Sequence, residues 1–286
     1  MAASPEAAVL LSHVLPVLFL SHGSPLLVLS PEEDVHKYLT NQLVASLEDV
    51  WADVKAIVTV SAHNESKEGH VTVSTGDGVL ENIHDFYGFP KELYEVSYPA
   101  RGSNAVSQRV LGLLKDAGID AAPTSRGLDH GAWSILKMML PDAPLPVVDV
   151  SLRAGQSADF HTSLGKALEP LRAEGVLIIG SGQPSHNLQL DGGRARAGRT
   201  STPEPLVEFV TNLRSLLTNK TGDERSNAIA EVVDNKRPLY LRNHPTDDHF
   251  MPLVVAAAAG GASQCTLAFD GLGLSSGLPS DCYRFG

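Results

Sequence analysis

Histidine is the residue type most able to do chemistry here. Three apolar runs, VLFLSHGSP (17–25), AIVTVSAHN (56–64) and VLIIGSGQPSHNL (176–188), end at or shortly before His22, His63 and His186. Short runs of Val, Ile and Leu bounded by Gly, Pro and Ser predict buried strands. In an open α/β sheet, ligands bind outside the carboxyl ends of parallel strands. Parallel pairing would therefore bring the three imidazoles to one edge of the sheet. Neutral imidazole is a common ligand for zinc and ferrous iron, and its pKa of about 6.5 also suits acid–base work.

Two further histidines occupy suggestive positions. His130 lies in GLDHGAW (127–133), between an acidic residue and a glycine and just before a predicted helix. His249 lies in NHPTDDHFMPL (243–253), at the entrance to an apolar helix, where Asp247 and Asp248 could orient imidazoles from behind. His244 competes with His249, although Pro245 places it in a loop. His13, His36, His70 and His161 have no such context and are expected at the surface.

The elements that must position these residues alternate along the chain. Strands are expected at 15–21, 54–61 and 176–180, at HVTVST, and in GIDAAPTS, PLPVVDVSL and SQCTLAFDG. Helices are expected over 35–50, from an N-cap at Ser103 to Gly118, through GAWSILKMML, over 157–174, over most of 203–235, and from HFMPL onward. Such alternation predicts one α/β domain over 1–286, with a mostly parallel central sheet flanked by helices. No repeat or linker divides the chain.

With 286 residues the chain can bury a substantial core. A formal charge of −11 argues against nucleic-acid or anionic-membrane partners, which need a basic face. Cys265 and Cys282 lack C-x-x-C spacing and read as reduced thiols of a soluble cytoplasmic protein. The apolar opening has no basic start and is interrupted by His13 and Pro16. It is expected to be kept as the first central strand rather than removed as a leader. No run approaches the ~20 apolar residues of a membrane span. HGSP does not match the G-x-G-x-x-G phosphate fingerprint.

Taken together, HGSP (22–25), SAH (61–63), IHDFYGFP (83–90), LDHGAW (128–133), GSGQPSHNL (180–188) and DHFMPL (248–253) resemble the class III extradiol ring-cleavage dioxygenases. The likeness is to the branch that contains the 4,5-DOPA dioxygenases. It spans roughly residues 15–255. It implies a phosphorylase/hydrolase-like fold and a non-haem metal site, with Fe(II) for oxygen chemistry and Zn(II) possible in the same place. By motif, His22, His63 and His249 correspond to metal ligands. His186 corresponds to a fourth ligand or an adjacent acid/base, and His130 to a histidine facing the substrate. Asn64 stands where tryptophan is expected, and Gln183-Pro184 where small residues are usual. Both departures lie in loops expected to face the pocket.

The resemblance implies a catechol substrate, DOPA-like or larger, and O2, with a muconic semialdehyde as product. His186 or His130 would take a hydroxyl proton. Two other functions use the same residues: a zinc hydrolase that lowers the pKa of a bound water, and a non-enzymatic interaction protein on the same fold. Neither oligomeric state nor the cleaved bond is legible.

Overall fold

Strand β1 (Val17–Ser21) forms within the predicted run, and all its residues are buried. Val17 and Phe19 point into one hydrophobic cluster, and Leu18 and Leu20 into another on the opposite face. That is the period-2 alternation of a strand packed on both sides. The computed structural model describes residues 14–190, 202–235, 238–272 and 278–286. His13 therefore lies outside the described residues.

The remaining strands are β2 (Ala56–Ser61), β3 (Glu65–Ser66), β4 (Val71–Ser74), β5 (Ala121–Thr124), β6 (Val147–Asp149), β7 (Leu152–Arg153), β8 (Val176–Gly182), β9 (Cys265–Phe269) and β10 (Cys282–Phe285). The central sheet is six-stranded, in the order β6-β2-β8-β1-β10-β9. β6, β2, β8 and β1 run parallel. β10 is antiparallel to both β1 and β9. The mostly parallel sheet expected from the sequence is thus present, with an antiparallel margin. The strand expected in HVTVST does not join it. β4 pairs instead with β5, where Pro123 has no N–H to donate, as suits a marginal strand.

Helices α1 (Asn104–Asp116), α2 (His130–Met139), α3 (Ala158–Leu168), α4 (Glu204–Asn219), α5 (Gly222–Asp234), α6 (Pro238–Asn243) and α7 (Met251–Ala259) cover the sheet. Ser103 caps α1, its hydroxyl accepting from Val106 N. The helix expected over 157–174 stops at Leu168 and continues as a tighter 3-10 turn over Glu169–Glu174. Pro170 explains the change, because it cannot donate to the carbonyl of Lys166. The helix expected over 35–50 is helical only from Asp34 to Ser46, with a wider π turn at Tyr38–Gln42. Among the described residues no helix is long and apolar enough to cross a membrane. Cys265 and Cys282 are free and buried.

Helix α7 is buried along its whole length. It lies against β8 because two glycines remove the side chains that would hold it off. A Cβ on Gly180 would meet the Pro252 carbonyl oxygen at 2.3 Å, and one on Gly182 would meet the His249 carbonyl oxygen at the same distance. The backbone before α7 is thereby drawn against the end of β8, and Gln183 N donates to His249 O at 2.9 Å.

Candidate metal centre and active site

The carboxyl ends of β1, β2 and β8 deliver His22, His63 and His186 to one crevice, as expected from the strand endings. His130, the first residue of α2, and His249, two residues ahead of α7, reach the same place. Ring centroids are 5.1 Å apart for His22–His63, 4.0 Å for His63–His130 and 4.9 Å for His63–His249. His249 is 5.3 Å from His22 and stacks on His186 at 3.5 Å. The tightest group of donor atoms is His22, His63 and His130, one atom from each lying within 4.8 Å of the others. His130 thus lies with His22 and His63 in the group whose donor atoms could share a cation.

What makes these imidazoles a donor set is the partner at the back of each ring. Ser181 Oγ donates to the Gly131 carbonyl at 2.6 Å, so toward His22 Nδ1, 2.9 Å away, it is the acceptor. Asp85 serves two rings at once. Its Oδ1 accepts from His130 Nδ1 at 2.8 Å and from His130 N at 3.1 Å, and its Oδ2 faces His63 Nδ1 at 3.0 Å. Asp248 Oδ2 accepts from His249 Nδ1 at 2.7 Å. Each Nδ1 therefore carries the proton, and the Nε2 lone pairs of His22, His63, His130 and His249 are left for the crevice.

This arrangement fits a cation. The Nε2 atoms of His22 and His63 are 3.3 Å apart with their protons on the far side. Two lone pairs at that distance repel unless a positive charge lies near both. A shared proton is disfavoured: burial, and then the neighbouring His63, push His22 well below the ordinary imidazole range. Burial also lowers His130 and His249, each partly offset by its carboxylate. His186 falls to about 3 through burial and the stacked His249. Burial opposes ionisation of Asp85, but hydrogen bonds from His130 and His63 outweigh it and hold the carboxyl well below its usual range. Asp248 is held down in the same sense by His249. A divalent cation is the positive charge that neutral imidazoles backed by carboxylates accept.

The loop 81–90 that carries Asp85 is fastened at several points. Ile83 N donates to Leu128 O at 2.7 Å, and Trp133 Nε1 donates to Ile83 O at 3.0 Å. Phe86 lies edge-on to His130 with centroids 5.7 Å apart. The loop 183–187 is joined as closely to the segment before α7. Ser185 Oγ donates to Asn243 Oδ1, His186 N to Asn243 O, and Asn187 Nδ2 to Arg242 O. His186 and His249 therefore belong to one fastened unit.

Other histidines fall elsewhere. His244 lies among Tyr240, Phe209 and Phe250, and donates from Nε2 to the Pro184 carbonyl at 3.0 Å. It braces the loop of His186 rather than entering the crevice. His161, expected at the surface, is buried: its Nδ1 donates to Ser157 O and its Nε2 accepts from Arg153 N. His36 and His70 are partly exposed. Asn64 does not face the crevice. Its Nδ2 donates to Asp149 Oδ2 at 2.7 Å, serving a buried carboxyl that also accepts from Thr59 Oγ1. Burial and the charge of Asp129 raise the pKa of Asp149.

Residues 7–277 match the family model described as the catalytic LigB subunit of aromatic ring-opening dioxygenase. The chain belongs to the LigB family. Within it, the chain is 35% identical over 246 residues to the 4,5-DOPA dioxygenase extradiol of Beta vulgaris, covering 85% of this chain and 86% of that one. It is 33% identical over 267 residues to the 4,5-DOPA dioxygenase extradiol of Escherichia coli K12, covering 92% of each. The crystal structure of an uncharacterized protein from Escherichia coli K12 superposes with a TM-score of 0.72 at 26% identity, over 95% of this chain and all of that one. For a LigB-family chain the donor set above is where the family's metal dependence would be met. Asp85 and Ser181 were not singled out in the sequence, although Asp85 sits inside the IHDFYGFP motif. A carboxylate between aromatic residues in a loop was the available signal.

Proposed function

We propose that this chain is a metal-dependent extradiol dioxygenase that opens a catechol ring with O2. The observation that carries the proposal is the set of Nε2 lone pairs from His22, His63, His130 and His249, each ring anchored at Nδ1. His22, His63 and His249 would hold the metal. Iron(II) bound there would supply the redox centre that O2 chemistry requires, whereas zinc would supply Lewis acidity alone.

His130 is the base of this reading. Its Nε2 faces the crevice, and Asp85 behind it both fixes the tautomer and stabilises the imidazolium formed on proton uptake. A catechol hydroxyl proton passes to His130 Nε2. The neutral imidazole ligands favour the resulting anion more than a carboxylate ligand would. Both atoms of O2 enter the product, one carbon–carbon bond beside the diol breaks, and the ring opens to a hydroxymuconic semialdehyde. His186, low in basicity and stacked on His249, accepts a hydrogen bond near the metal rather than carrying a proton.

Anaerobic loading with iron(II), then a screen of substituted catechols for O2 uptake and a yellow product, tests the proposal. Uptake of one O2 per catechol is the expected result. No uptake with any catechol, together with ester or amide hydrolysis by the zinc-loaded protein, would replace it with the hydrolase reading.

A further inference from the structure

The departure from small residues at Gln183 has a counterpart in the structure. β8 runs parallel between β1 and β2, with Ser21 opposite Gly182 and Ser61 opposite Ser181. Gln183 is the first residue after β8, so it stands at the end of the strand that lies between the two delivering His22 and His63. Along extended backbone, side chains two apart share a face. Gln183 thus follows Ser181, whose hydroxyl touches His22 and the α2 backbone at Gly131. Consistent with that face, Gln183 Nε2 lies 4.0 Å from where a Cβ on Gly23 would be.

The side chain is only 2% exposed, yet its Oε1 is buried without a hydrogen-bond partner among the described residues. Leaving a buried amide oxygen unpaired is costly, so such a group points to a partner that arrives with a ligand. His244 and Asn243 meanwhile fix the following residues, Pro184 to His186, in place. A braced loop therefore follows Gln183, whose carboxamide Nε2 stands beside Gly23, the residue after His22.

We propose that Gln183 is a specificity-determining residue whose carboxamide takes a hydroxyl donor on a ring substituent of the substrate. This rests on the ring-cleaving reading above and adds the substrate class: a catechol bearing a hydroxyl-terminated substituent. A neutral carboxamide beside a divalent cation suits a neutral donor better than an ammonium, because the metal repels a second positive charge. A site with a polar group waiting for a partner discriminates against the analogue that leaves it unpaired.

The test is calorimetry on full-length zinc-loaded protein, which does not turn over, with matched 3- and 4-substituted catechols bearing ethyl, hydroxymethyl or aminomethyl groups. Wild type should bind a hydroxymethyl catechol about tenfold more tightly than its ethyl counterpart, the gain of one buried hydrogen bond. Gln183→Met, which keeps volume, and Gln183→Leu should bring that ratio to within about twofold. A melting curve for each variant confirms folding. A ratio that persists in both variants, the absence of any ratio in wild type, or a preference for the aminomethyl compound would overturn the assignment and leave the ring-cleaving reading standing. Failure of folded, zinc-loaded wild type to bind any catechol would overturn both.

Discussion

His186 and His249 lie face to face, their ring planes 9° apart and their centroids separated by 3.5 Å. Stacked imidazoles that close cannot both be cations without strong repulsion. With Nδ1 of His249 committed to Asp248, His186 is the ring that stays neutral. His186→Phe keeps the stack and removes the nitrogens. It should retain stoichiometric metal by elemental analysis, while ring cleavage falls about tenfold, the loss of one hydrogen bond. Loss of the metal would make His186 a ligand.

His249 and His130 separate by the same pair of measurements. His249→Ala should lose most of its metal. His130→Ala should keep it, bind catechol, and lose turnover by about 10²–10⁴-fold. The closest donor atoms belong to His22, His63 and His130, so the reverse outcome is a sharp alternative: metal kept without His249 and lost without His130.

Asp85 anchors two rings, and its loss should show in both functions. Asp85→Asn leaves one oxygen and turns the other position into a donor, so His63 or His130 loses its acceptor. Metal affinity should weaken about 10–100-fold, as for other carboxylates behind metal-binding histidines. Turnover should fall beyond what restored metal occupancy recovers. Wild-type affinity in this variant would show that the loop is only a scaffold.

Removal of metal should make stability depend on acidity. His22, His130, His186 and His249 titrate below the ordinary imidazole range in the folded, metal-free protein. The unfolded chain takes up protons near pH 6.5, whereas the folded one does so only at lower pH. Stability is then full above about pH 6.5 and declines as pH falls towards the folded values, about 3 for His186. Asp149 and Glu65, raised by burial, act in the opposite sense, but these two carboxyls are outweighed by the histidines, which the buried His161 and His244 join. Melting temperatures of chelator-treated protein should fall from pH 7.5 to 5, more gently in His186→Phe. A flat profile would contradict the burial argument.

Strand endings were readable because burial leaves a mark on neighbouring residues: an all-apolar run followed by a residue that cannot continue it. That is why His22, His63 and His186 converge as expected. Asp85 was not readable as a partner because its contacts are far along the chain, 45 residues from His130 in sequence. No local period reports such a pairing. His161 misled for the same reason. Its burial depends on α3 packing over Arg153, and nothing beside it in the sequence marks that contact. Asn64 and Gln183 were alike as departures from a pattern, yet one turns inward to Asp149 and the other lies beside Gly23, next to His22. Neighbours from other elements decide which.

The placement of β10 bears on how the protein is made. β1 ends at Ser21, 261 residues before Cys282 opens its neighbour β10, so the two are synthesised far apart in time. One flank of β1 is closed only by β10, from residues 282–285, and Ser21 Oγ donates to the Asp281 carbonyl there. Until those residues are synthesised, an apolar strand carries an open edge on that side, the kind of surface that recruits chaperones or pairs with another nascent chain. Deleting β10 should therefore reduce soluble yield even though none of the crevice histidines lies on it.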